Sequence, residues 1–192
     1  ALRLRERTNE GVFLDIAMTD GLFPFMYWAI GQGLTRSNWP GNGDSVFTGG
    51  SPRYQLYETS DHRVLAAAPL EQKFWETFCV AINLEKKLRD DSLNPRLTIK
   101  GVAKIIMKKP GSYWEKVFTS ANCCCSIVQT IEDAMEAEQF AHRKLFDQEI
   151  TNSEGNTMAA LPIPIAPEFR SSQTKNSAPP FTPDKLKNRK TF

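Results

Sequence analysis

The stretch that decides the fold is residues 49–79, GGSPRYQLYETSDHRVLAAAPLEQKFWETFC. Its alternating apolar and polar residues predict one strand over 54–59 and a second strand over 64–68. The polar residues at 60–62 predict the turn between the two strands. After the proline, aromatic residues at helical spacing predict a helix over 70–82. Two strands joined by a short turn and followed by a helix indicate an α/β unit.

The same reasoning predicts further elements on both sides of this stretch. Apolar residues at three-to-four spacing predict a long, mostly buried helix over 15–34. Ser112 and Glu115 have capping-box spacing, so a helix is expected to have Ser112 as its N-cap. Another helix is expected over 130–146, capped by Thr130. The remaining predicted elements are a helix over 97–107, a strand over 123–128, a hairpin or loop over 147–160 and an extended segment over 161–169.

Composition argues against two classes of partner. The formal net charge is +2, from 24 basic and 22 acidic side chains, and no basic run alternates with aromatic residues, so no nucleic-acid partner is expected. The longest apolar stretch, 22–30, is shorter than the roughly 20 residues that span a bilayer, so no membrane partner is expected. The Pro-, Ser- and Lys-rich residues 171–192 are expected to wrap over a surface or to be partly disordered.

The four cysteines favour a reducing compartment. A cytoplasmic location is expected, or a mitochondrial or peroxisomal one in a eukaryote. Cys123, Cys124 and Cys125 are consecutive, and strand neighbours point to opposite faces, so the three cannot converge on one metal ion. No metal is expected, and these residues are predicted to be buried structural thiols. His62 and His142 have no companion ligand in the sequence, and both are predicted to lie on the surface.

Three stretches together resemble a known family. They are RERTNEGVFLDIAMTDGLF at 5–23, the stretch at 49–79, and PGSYWEKVFTSANCCCSIVQTIEDAM at 110–135. In order and spacing they are similar to the C-terminal half of the family III CoA-transferases, the CaiB/BaiF family. That family includes formyl-CoA transferase, the carnitine and bile-acid CoA-transferases and the α-methylacyl-CoA racemases. The resemblance extends from the first residue to about residue 183.

The resemblance implies an α/β fold with a Rossmann-like large domain, a small α/β domain and a homodimer of two interlocked subunits. The Rossmann-like N-terminal half is expected to lie outside this sequence. The expected division is listed in chain order: the end of the large-domain portion at 1–35, a Gly-rich linker loop at 36–52, the small α/β domain at 53–146, and a return segment to the large domain with an extended tail at 147–192.

The resemblance also implies CoA-ester chemistry, with CoA passing from an acyl-CoA to a carboxylic acid through aspartyl acyl and CoA-thioester intermediates. The coenzyme A thioester is then a substrate, and no covalently bound cofactor is expected. The nucleophilic aspartate matches a position upstream of Ala1, so neither Asp15 nor Asp20 is expected to be that nucleophile. One alternative is an α-methylacyl-CoA racemase, and another is a non-catalytic fragment or one piece of a split enzyme.

The chain itself is expected to be a piece of a longer protein. Its first residues, ALRLRERTN, look like the last turns of a helix whose beginning is missing. Without the nucleophile, this chain is not expected to be active alone.

Glu71 is the candidate catalytic residue. It matches the glutamate of the racemase pattern G-x-x-E-x-x-F, which reads A-P-L-E-Q-K-F here. Proton transfer at a thioester α-carbon would need a desolvated carboxylate beside that carbon. The alternative is a carboxylate that stabilises a helix start through the dipole. The transferase branch has a similar stretch without needing this proton transfer, so both interpretations remain open.

Four further residues are candidate substrate contacts. Gly49, Gly50 and Ser51 match the glycine-rich loop that shields the reactive intermediate in the transferase branch, where glycines allow a close backbone approach. The alternative is a plain turn before a strand. Tyr54 matches an acyl-pocket aromatic residue of the racemase branch, and the alternative is an ordinary core tyrosine.

Overall fold

The computed structural model describes residues 1–161, 163–171 and 173–179. The chain divides into two compact units, Ala1–Ile127 and Val128–Phe192, and each unit is described by itself. Each combines helices with a small sheet, so the predicted mixed α/β character is confirmed. His62 and His142 are both exposed, as predicted. Among the described residues, none of the helices has the length and apolar character needed to cross a membrane.

The first part of the chain forms three short helices, α1 (Leu2–Thr8), α2 (Leu22–Phe25) and α3 (Tyr27–Arg36). The predicted single helix over 15–34 is therefore wrong. Its predicted burial is wrong as well, because within this fully described range only Ala29 and Gly33 are buried. Pro24 lies in the first turn of α2, where its missing N–H is not needed, which excludes a helix that begins as early as residue 15. The helix is interrupted again at Met26, with φ −92° and ψ 14°, which separates α2 from α3.

The sheet of the first unit has three antiparallel strands, in the order β1 (Gln55–Glu58), β2 (Val64–Ala67) and β3 (Cys125–Ile127). Tyr57 pairs with Leu65, and Leu65 pairs with Ile127. All three side chains are buried, and they face the same side of the sheet because paired residues point the same way. The Thr59 N–H donates to the Arg63 carbonyl at 2.9 Å and closes the turn, so the predicted strand–turn–strand unit is confirmed.

Three helices complete the first unit: α4 (Gln72–Ala81), α5 (Pro95–Ile106) and α6 (Gly111–Ala121). The predicted helices over 70–82 and 97–107 are confirmed, with ends shifted by no more than two residues. The Asn94 side chain accepts a hydrogen bond from the Leu97 N–H at 3.0 Å and caps α5. Pro95 at the first helical position completes a strong start signal, since its missing N–H is not needed there.

Four aromatic rings form a stacked column that joins α4 to α6. The ring centroids lie 5.6 Å apart for Trp75 and Phe78, 5.7 Å for Phe78 and Phe118, and 5.7 Å for Phe118 and Trp114. Both indole N–H groups donate to backbone carbonyls, at 2.7 and 2.8 Å. All four rings are buried, and burial of each such side chain stabilises the fold by about 1.5–3 kcal/mol. We call this set the aromatic column.

The first turn of α6 is held by a side chain from the β1–β2 turn. The Gly111 N–H donates to the Asp61 carboxylate at 2.9 Å, and the Thr59 hydroxyl donates to the same carboxylate. These two hydrogen bonds hold the pKa of Asp61 below its usual value, and the bond from Thr59 has the larger effect. The helix begins at Gly111 with Pro110 as its N-cap, so the prediction of Ser112 as N-cap is wrong. The spacing of Ser112 and Glu115 predicted a cap from within the helix, whereas the first N–H of α6 is satisfied by a carboxylate 50 residues away in sequence.

The cysteine run is only partly buried. Cys123 is buried and Cys125 is half-buried, but Cys124 is exposed, so the prediction of three buried thiols is wrong at Cys124. Cys124 has a φ of 57°, and the strand begins after it rather than at Cys123. The hydrogen bond with Cys123 and burial raise the pKa of the Cys125 thiol, and burial raises the pKa of Cys79 to about 12. Both thiols are therefore protonated and unreactive near neutral pH.

The second unit begins with two short helices, α7 (Ile131–Glu136) and α8 (Glu138–His142). The Thr130 hydroxyl accepts a hydrogen bond from the Asp133 N–H at 3.0 Å, so the predicted cap is confirmed. The predicted single helix over 130–146 is wrong, because Ala137 is extended, with φ −62° and ψ 135°, and separates the two helices.

The sheet of the second unit has the strand order β5-β4-β6, from β4 (Glu149–Thr151), β5 (Thr157–Ala159) and β6 (Lys175–Ser177). β4 and β5 are antiparallel, which confirms the hairpin expected over 147–160, and β6 pairs with β4 in parallel. The described residues of 161–169 contain no strand. β6 gives part of the C-terminal segment a regular structure that the sequence did not predict, while residues 180–192 lie outside the described residues.

Replacement of Asp61 by asparagine is expected to lower the Tm at neutral pH, because the first turn of α6 loses its charged acceptor. The folded-state pKa of Asp61 lies below its unfolded value. Its stabilising contribution is therefore full above the unfolded pKa and is lost as the pH falls through the folded pKa. The Tm difference between the wild type and D61N should shrink below about pH 4. Thermal unfolding followed by circular dichroism at a series of pH values measures this difference.

Asp20→Asn is the matched control, because Asp20 is exposed and its carboxylate accepts no hydrogen bond from another described residue. D20N should leave the Tm almost unchanged at every pH. A Tm difference for D61N that stays constant from neutral to strongly acidic pH would contradict the assigned role of this carboxylate.

Candidate functional site

A cleft of about 450 Å³ opens between the loop that precedes β1 and the β1–β2 hairpin. Its volume is within the range of small-molecule sites, roughly 300–1,000 Å³. The wall is mostly apolar, and its polar side chains are those of Thr48, Tyr54 and Gln55. We call it the hairpin cleft. Its lining residues are Phe47, Thr48, Gly49, Tyr54, Gln55, Leu56, Ala66, Ala67 and Ala68.

The loop side of the hairpin cleft is a tight turn over 46–50. Ser45 and Thr48 hydrogen-bond to each other reciprocally, and the Gly50 N–H donates to the Ser45 carbonyl at 2.9 Å. Gly49 has a φ of 107°, which L-residues rarely adopt. A Cβ on Gly50 would lie 2.3 Å from a backbone carbonyl oxygen. The backbone conformation of the turn therefore requires glycine at both positions.

An aromatic cluster supports one side of the hairpin cleft. The ring centroids of Trp28 and Phe47 lie 5.3 Å apart, and those of Phe47 and Tyr54 are also 5.3 Å apart, both in edge-to-face contact. Tyr54 remains 41% exposed, so it lies at the mouth of the cleft rather than in the core. The core tyrosine of this region is Tyr57, whose hydroxyl donates to the Pro52 carbonyl at 2.9 Å.

The opposite side of the hairpin cleft is made of small residues. Leu56 pairs with Ala66 across β1 and β2, and Leu56 is 65% exposed. The alanines at 66–68 leave open space where longer side chains would fill the cleft. The Gln55 side-chain amide donates to the Gly49 carbonyl at 2.9 Å and fixes the turn against β1. The cleft thus suits an uncharged, largely apolar group with a polar end near Thr48 and Gln55.

The structure brings only some of the predicted site residues together. Gly49 and Tyr54 line the hairpin cleft, whereas Gly50 and Ser51 lie in the adjacent backbone outside its lining. Glu71 is exposed, directly precedes α4, and its side chain caps no N–H of the helix. It follows Ala68 by three residues, so the two Cα atoms are at most about 11 Å apart. In the described residues, no three His, Cys, Asp or Glu side chains are placed to share a metal ion.

Sequence reasoning missed a half-buried ion pair beside a second cleft of about 410 Å³. The Arg53 guanidinium donates to both carboxylate oxygens of Asp91, with Nε–Oδ2 at 2.9 Å and Nη2–Oδ1 at 2.6 Å. Arg53 also stacks over the Trp75 ring, 5.1 Å from its centroid. The pair anchors the entry to β1 against the segment after α4. Asp91 lies 38 residues away in sequence, so no local pattern could have identified it.

Phe47 and the three alanines of the cleft were also missed. The run VLAAA at 64–68 predicts a strand, and small residues in a strand beside a glycine-rich loop are the one signal that could have suggested an open space. Phe47 had no such signal, because its place depends on the conformation of the preceding loop.

Comparison with known proteins identifies related sequences. The model of CoA-transferase family III matches residues 1–184. An alpha-methylacyl-CoA racemase of Mus musculus is 26% identical over 153 residues, covering 76% of this chain and 39% of that protein. A CaiB/baiF CoA-transferase family protein of Caenorhabditis elegans is 24% identical over 144 residues, covering 75% of this chain and 42% of that protein.

Solved structures share the fold. The crystal structure of Rv3272 from M. tuberculosis in its orthorhombic form has a TM-score of 0.60 and 19% sequence identity, covering 91% of this chain and 47% of that one. Another crystal structure of Rv3272 has a TM-score of 0.57 and 18% identity. The chain therefore spans about two fifths of the curated relatives and about half of these structures.

Gly50→Ala is expected to destabilise the first unit, because the added Cβ collides with backbone rather than with a movable side chain. Gly49→Ala should cost about 1–2 kcal/mol, since alanine must then adopt a left-handed conformation. Gly31→Ala is the matched control. A Cβ at Gly31 meets nothing within 4 Å, and alanine favours the helix by up to about 1 kcal/mol. Urea unfolding of the three variants measures these changes, and equal stability of G31A and G50A would contradict the described turn.

Proposed function

The chain belongs to CoA-transferase family III, and from this membership we propose that the protein acts in CoA-ester metabolism. The proposed reaction moves CoA from an acyl-CoA to a carboxylic acid. An aspartate of the part of the protein outside this chain attacks the thioester carbonyl and expels the CoA thiolate, which leaves a mixed anhydride. The thiolate then attacks the aspartyl carbonyl to give an aspartyl CoA-thioester and release the first acid. The acceptor carboxylate then attacks the aspartyl thioester and expels the CoA thiolate, which leaves a second mixed anhydride. The thiolate attacks the acceptor's carbonyl in this anhydride, which gives the new acyl-CoA and frees the aspartate.

The hairpin cleft is the proposed site for the acyl group. The observation that carries this proposal is that Gly49 and Tyr54, both selected from sequence, line one apolar cleft of suitable size. Phe47 and Leu56 would contact the hydrocarbon part, because each is about half exposed or more at the wall. Exclusion of water from this surface favours acyl binding at about 25 cal/mol for each Å² of apolar area buried.

The glycine turn is proposed to protect the intermediate. A mixed anhydride is hydrolysed easily, so the site must exclude water while the acceptor acid enters. The turn is held together by its own hydrogen bonds and is fixed to β1 by the bond from Gln55 to Gly49. Such a preformed turn can cover a reacting carbonyl through backbone atoms, with no side chain at 49 or 50 to obstruct the approach.

Racemisation at C2 of an acyl-CoA is the second candidate. The observation that favours it is the 26% identity to the mouse racemase. In this reaction Glu71 is proposed to exchange the α-proton. Glu71 is exposed and lies a few residues from the cleft lining, so it would need to be desolvated by bound substrate or by other parts of the protein to work near neutral pH.

Other properties implied by the resemblance remain proposals. They are an interlocked homodimer, a cytoplasmic location, and the division of the chain into the end of a large-domain portion, a linker, a small domain and a return segment. The coenzyme A thioester and a free carboxylic acid are the proposed partners in the reaction. A non-catalytic piece of a split enzyme is the remaining alternative.

Two isotope measurements on the full-length protein separate these functions. Incubation of an acyl-CoA with its isotopically labelled free acid should move label into the thioester if CoA is transferred. Incubation of a 2-methylacyl-CoA in deuterated water should introduce deuterium at C2 if the protein is a racemase. The proposed transferase predicts label exchange without deuterium uptake. Deuterium uptake without exchange would overturn transfer in favour of racemisation, and the absence of both would overturn catalysis.

Glu71→Gln tests the carboxylate within the same assays. If Glu71 exchanges the α-proton, the variant should lose about 10²–10⁴-fold in the rate of deuterium uptake. If Glu71 only precedes a helix, label exchange and deuterium uptake should match the wild type. Glu115→Gln is the control, because Glu115 is exposed on α6 and lies outside the lining of the cleft.

A further inference from the structure

A row of three lysines follows one side of α5 and the turn directly after it. Lys100, Lys104 and Lys108 are spaced four residues apart, and all three are exposed. Four residues of helix rise about 6 Å, so Lys100 and Lys104 are separated by about 6 Å along the axis, and Lys108 lies in the turn that follows Ile106. None of the three ammonium groups forms an ion pair with another residue in the described part of the chain. We call these residues the lysine row.

A groove of about 420 Å³ is lined partly by the lysine row and by the charged residues Glu85 and Lys87, and partly by apolar side chains. Its apolar lining is formed by leucine and isoleucine side chains from α5 and from the segment between α4 and α5. Gly101 makes the groove possible, because a Cβ there would lie 2.6 Å from the Leu88 Cδ1 atom. Leu97 is 53% exposed at its edge, although it is a large apolar residue. The apolar lining residues are Leu84, Leu88, Leu97 and Ile105.

Charge is strongly segregated around this groove. Residues 84–110 carry eight basic and three acidic side chains, a local net charge of +5, whereas the whole chain has a net charge of +2. One of the three acidic residues, Glu85, also lines the groove and is already paired with Lys87 at 2.8 Å. Another, Asp91, is paired with Arg53. The lysine row therefore faces solvent with little local neutralisation.

We propose that this groove binds an amphipathic acidic helix of a partner protein. Glutamates four residues apart on such a helix rise by about 6 Å, the same rise that separates Lys100 from Lys104 on α5. A parallel or antiparallel helix can therefore pair two of its carboxylates with Lys100 and Lys104 in register, and a further carboxylate can pair with Lys108 in the turn after α5. Its apolar face, at positions i, i+3, i+4 and i+7, then enters the groove, which is the usual mode of helix-in-groove recognition. The site is separate from the hairpin cleft and does not depend on the proposed reaction.

Three other anionic partners fit the groove less well. A bilayer surface is flat and would meet mainly the exposed Leu97, whereas single side chains of a helix can reach the half-buried Leu88 and Ile105. Single-stranded nucleic acid binds through aromatic stacking platforms, and the lining of this groove is aliphatic. A compact phosphate group needs converging donors, whereas Lys100 and Lys104 are separated by about 6 Å of helix rise and Lys108 lies beyond the end of the helix. A helix satisfies both the spacing of the charges and the apolar lining.

Fluorescence anisotropy with a synthetic peptide tests the proposal on the full-length protein. The labelled probe is a helical peptide with glutamate at every fourth position on one flank and leucine at i, i+3, i+4 and i+7. It should bind the wild type, and binding should weaken as salt is added. A peptide of the same composition in scrambled order, which keeps the charge and loses the apolar face, should not bind.

Two charge-reversal variants locate the binding surface. The double variant Lys100→Glu with Lys104→Glu should weaken peptide binding by at least about tenfold, since attraction at two positions becomes repulsion. Lys116→Glu is the matched control, because Lys116 is an exposed lysine of α6 outside the groove, and it should bind as the wild type does. Leu97→Gln should also weaken binding, because it removes an apolar contact while leaving the lysine row intact. Circular dichroism establishes that each variant is folded.

Several results would overturn the proposal. These are equal binding of the scrambled peptide, unchanged affinity of the double variant, and absence of binding to the wild type. Tighter binding of a single-stranded oligonucleotide or of anionic phospholipid vesicles, lost in the same double variant, would overturn it in favour of that partner. The groove and the hairpin cleft share no lining residue, so the double variant and the wild type should have the same CoA-exchange activity. This equality is expected whether or not the protein proves to transfer CoA.

Discussion

The aromatic column is the interaction on which the rest of the first unit depends. Trp75 and Phe78 of α4 stack with Phe118 and Trp114 of α6, and all four rings are buried beneath one face of the sheet. Because ring stacking fixes both distance and orientation, it holds the two helices in one arrangement rather than merely near each other. Its indole N–H groups donate to backbone carbonyls, so burial of the column leaves neither of these donors unsatisfied.

The position of the hairpin cleft follows from this packing. Leu65 must face the aromatic column, and strand side chains alternate, so Ala66 and its partner Leu56 must face the other way. The loop before β1 meets this outward face and is fixed to it by the Gln55 amide. At its entry, β1 is anchored by Arg53, which stacks on Trp75 and pairs with Asp91. The column thus determines indirectly which residues line the hairpin cleft.

The sequence could predict those helices and strands that are determined by neighbouring residues. The β1–β2 hairpin and α4 follow from alternation, turn residues and helical spacing within one short stretch. The start of α6 could not be predicted, because its first N–H donates to Asp61 from a distant turn. The single helix over 15–34 was wrong because Pro24 lies in the first turn of α2, which excludes an earlier helix start, and because the interruption at Met26 leaves no signal in the apolar periodicity. Within the cleft, Gly49 and Tyr54 were found through the family resemblance. Phe47 and the alanines depend on loop conformation and strand register, which no short motif specifies.

The central claim is that the hairpin cleft holds the acyl group of a CoA thioester. Photochemical cross-linking tests it most directly, with a full-length protein and an acyl-CoA that carries a photoreactive group near the end of its acyl chain. The cleft predicts cross-links in the peptides that contain Phe47, Tyr54 and Leu56, which an excess of the unmodified acyl-CoA should suppress. Competed cross-links confined to other parts of the protein, with these peptides unlabelled, would contradict the account.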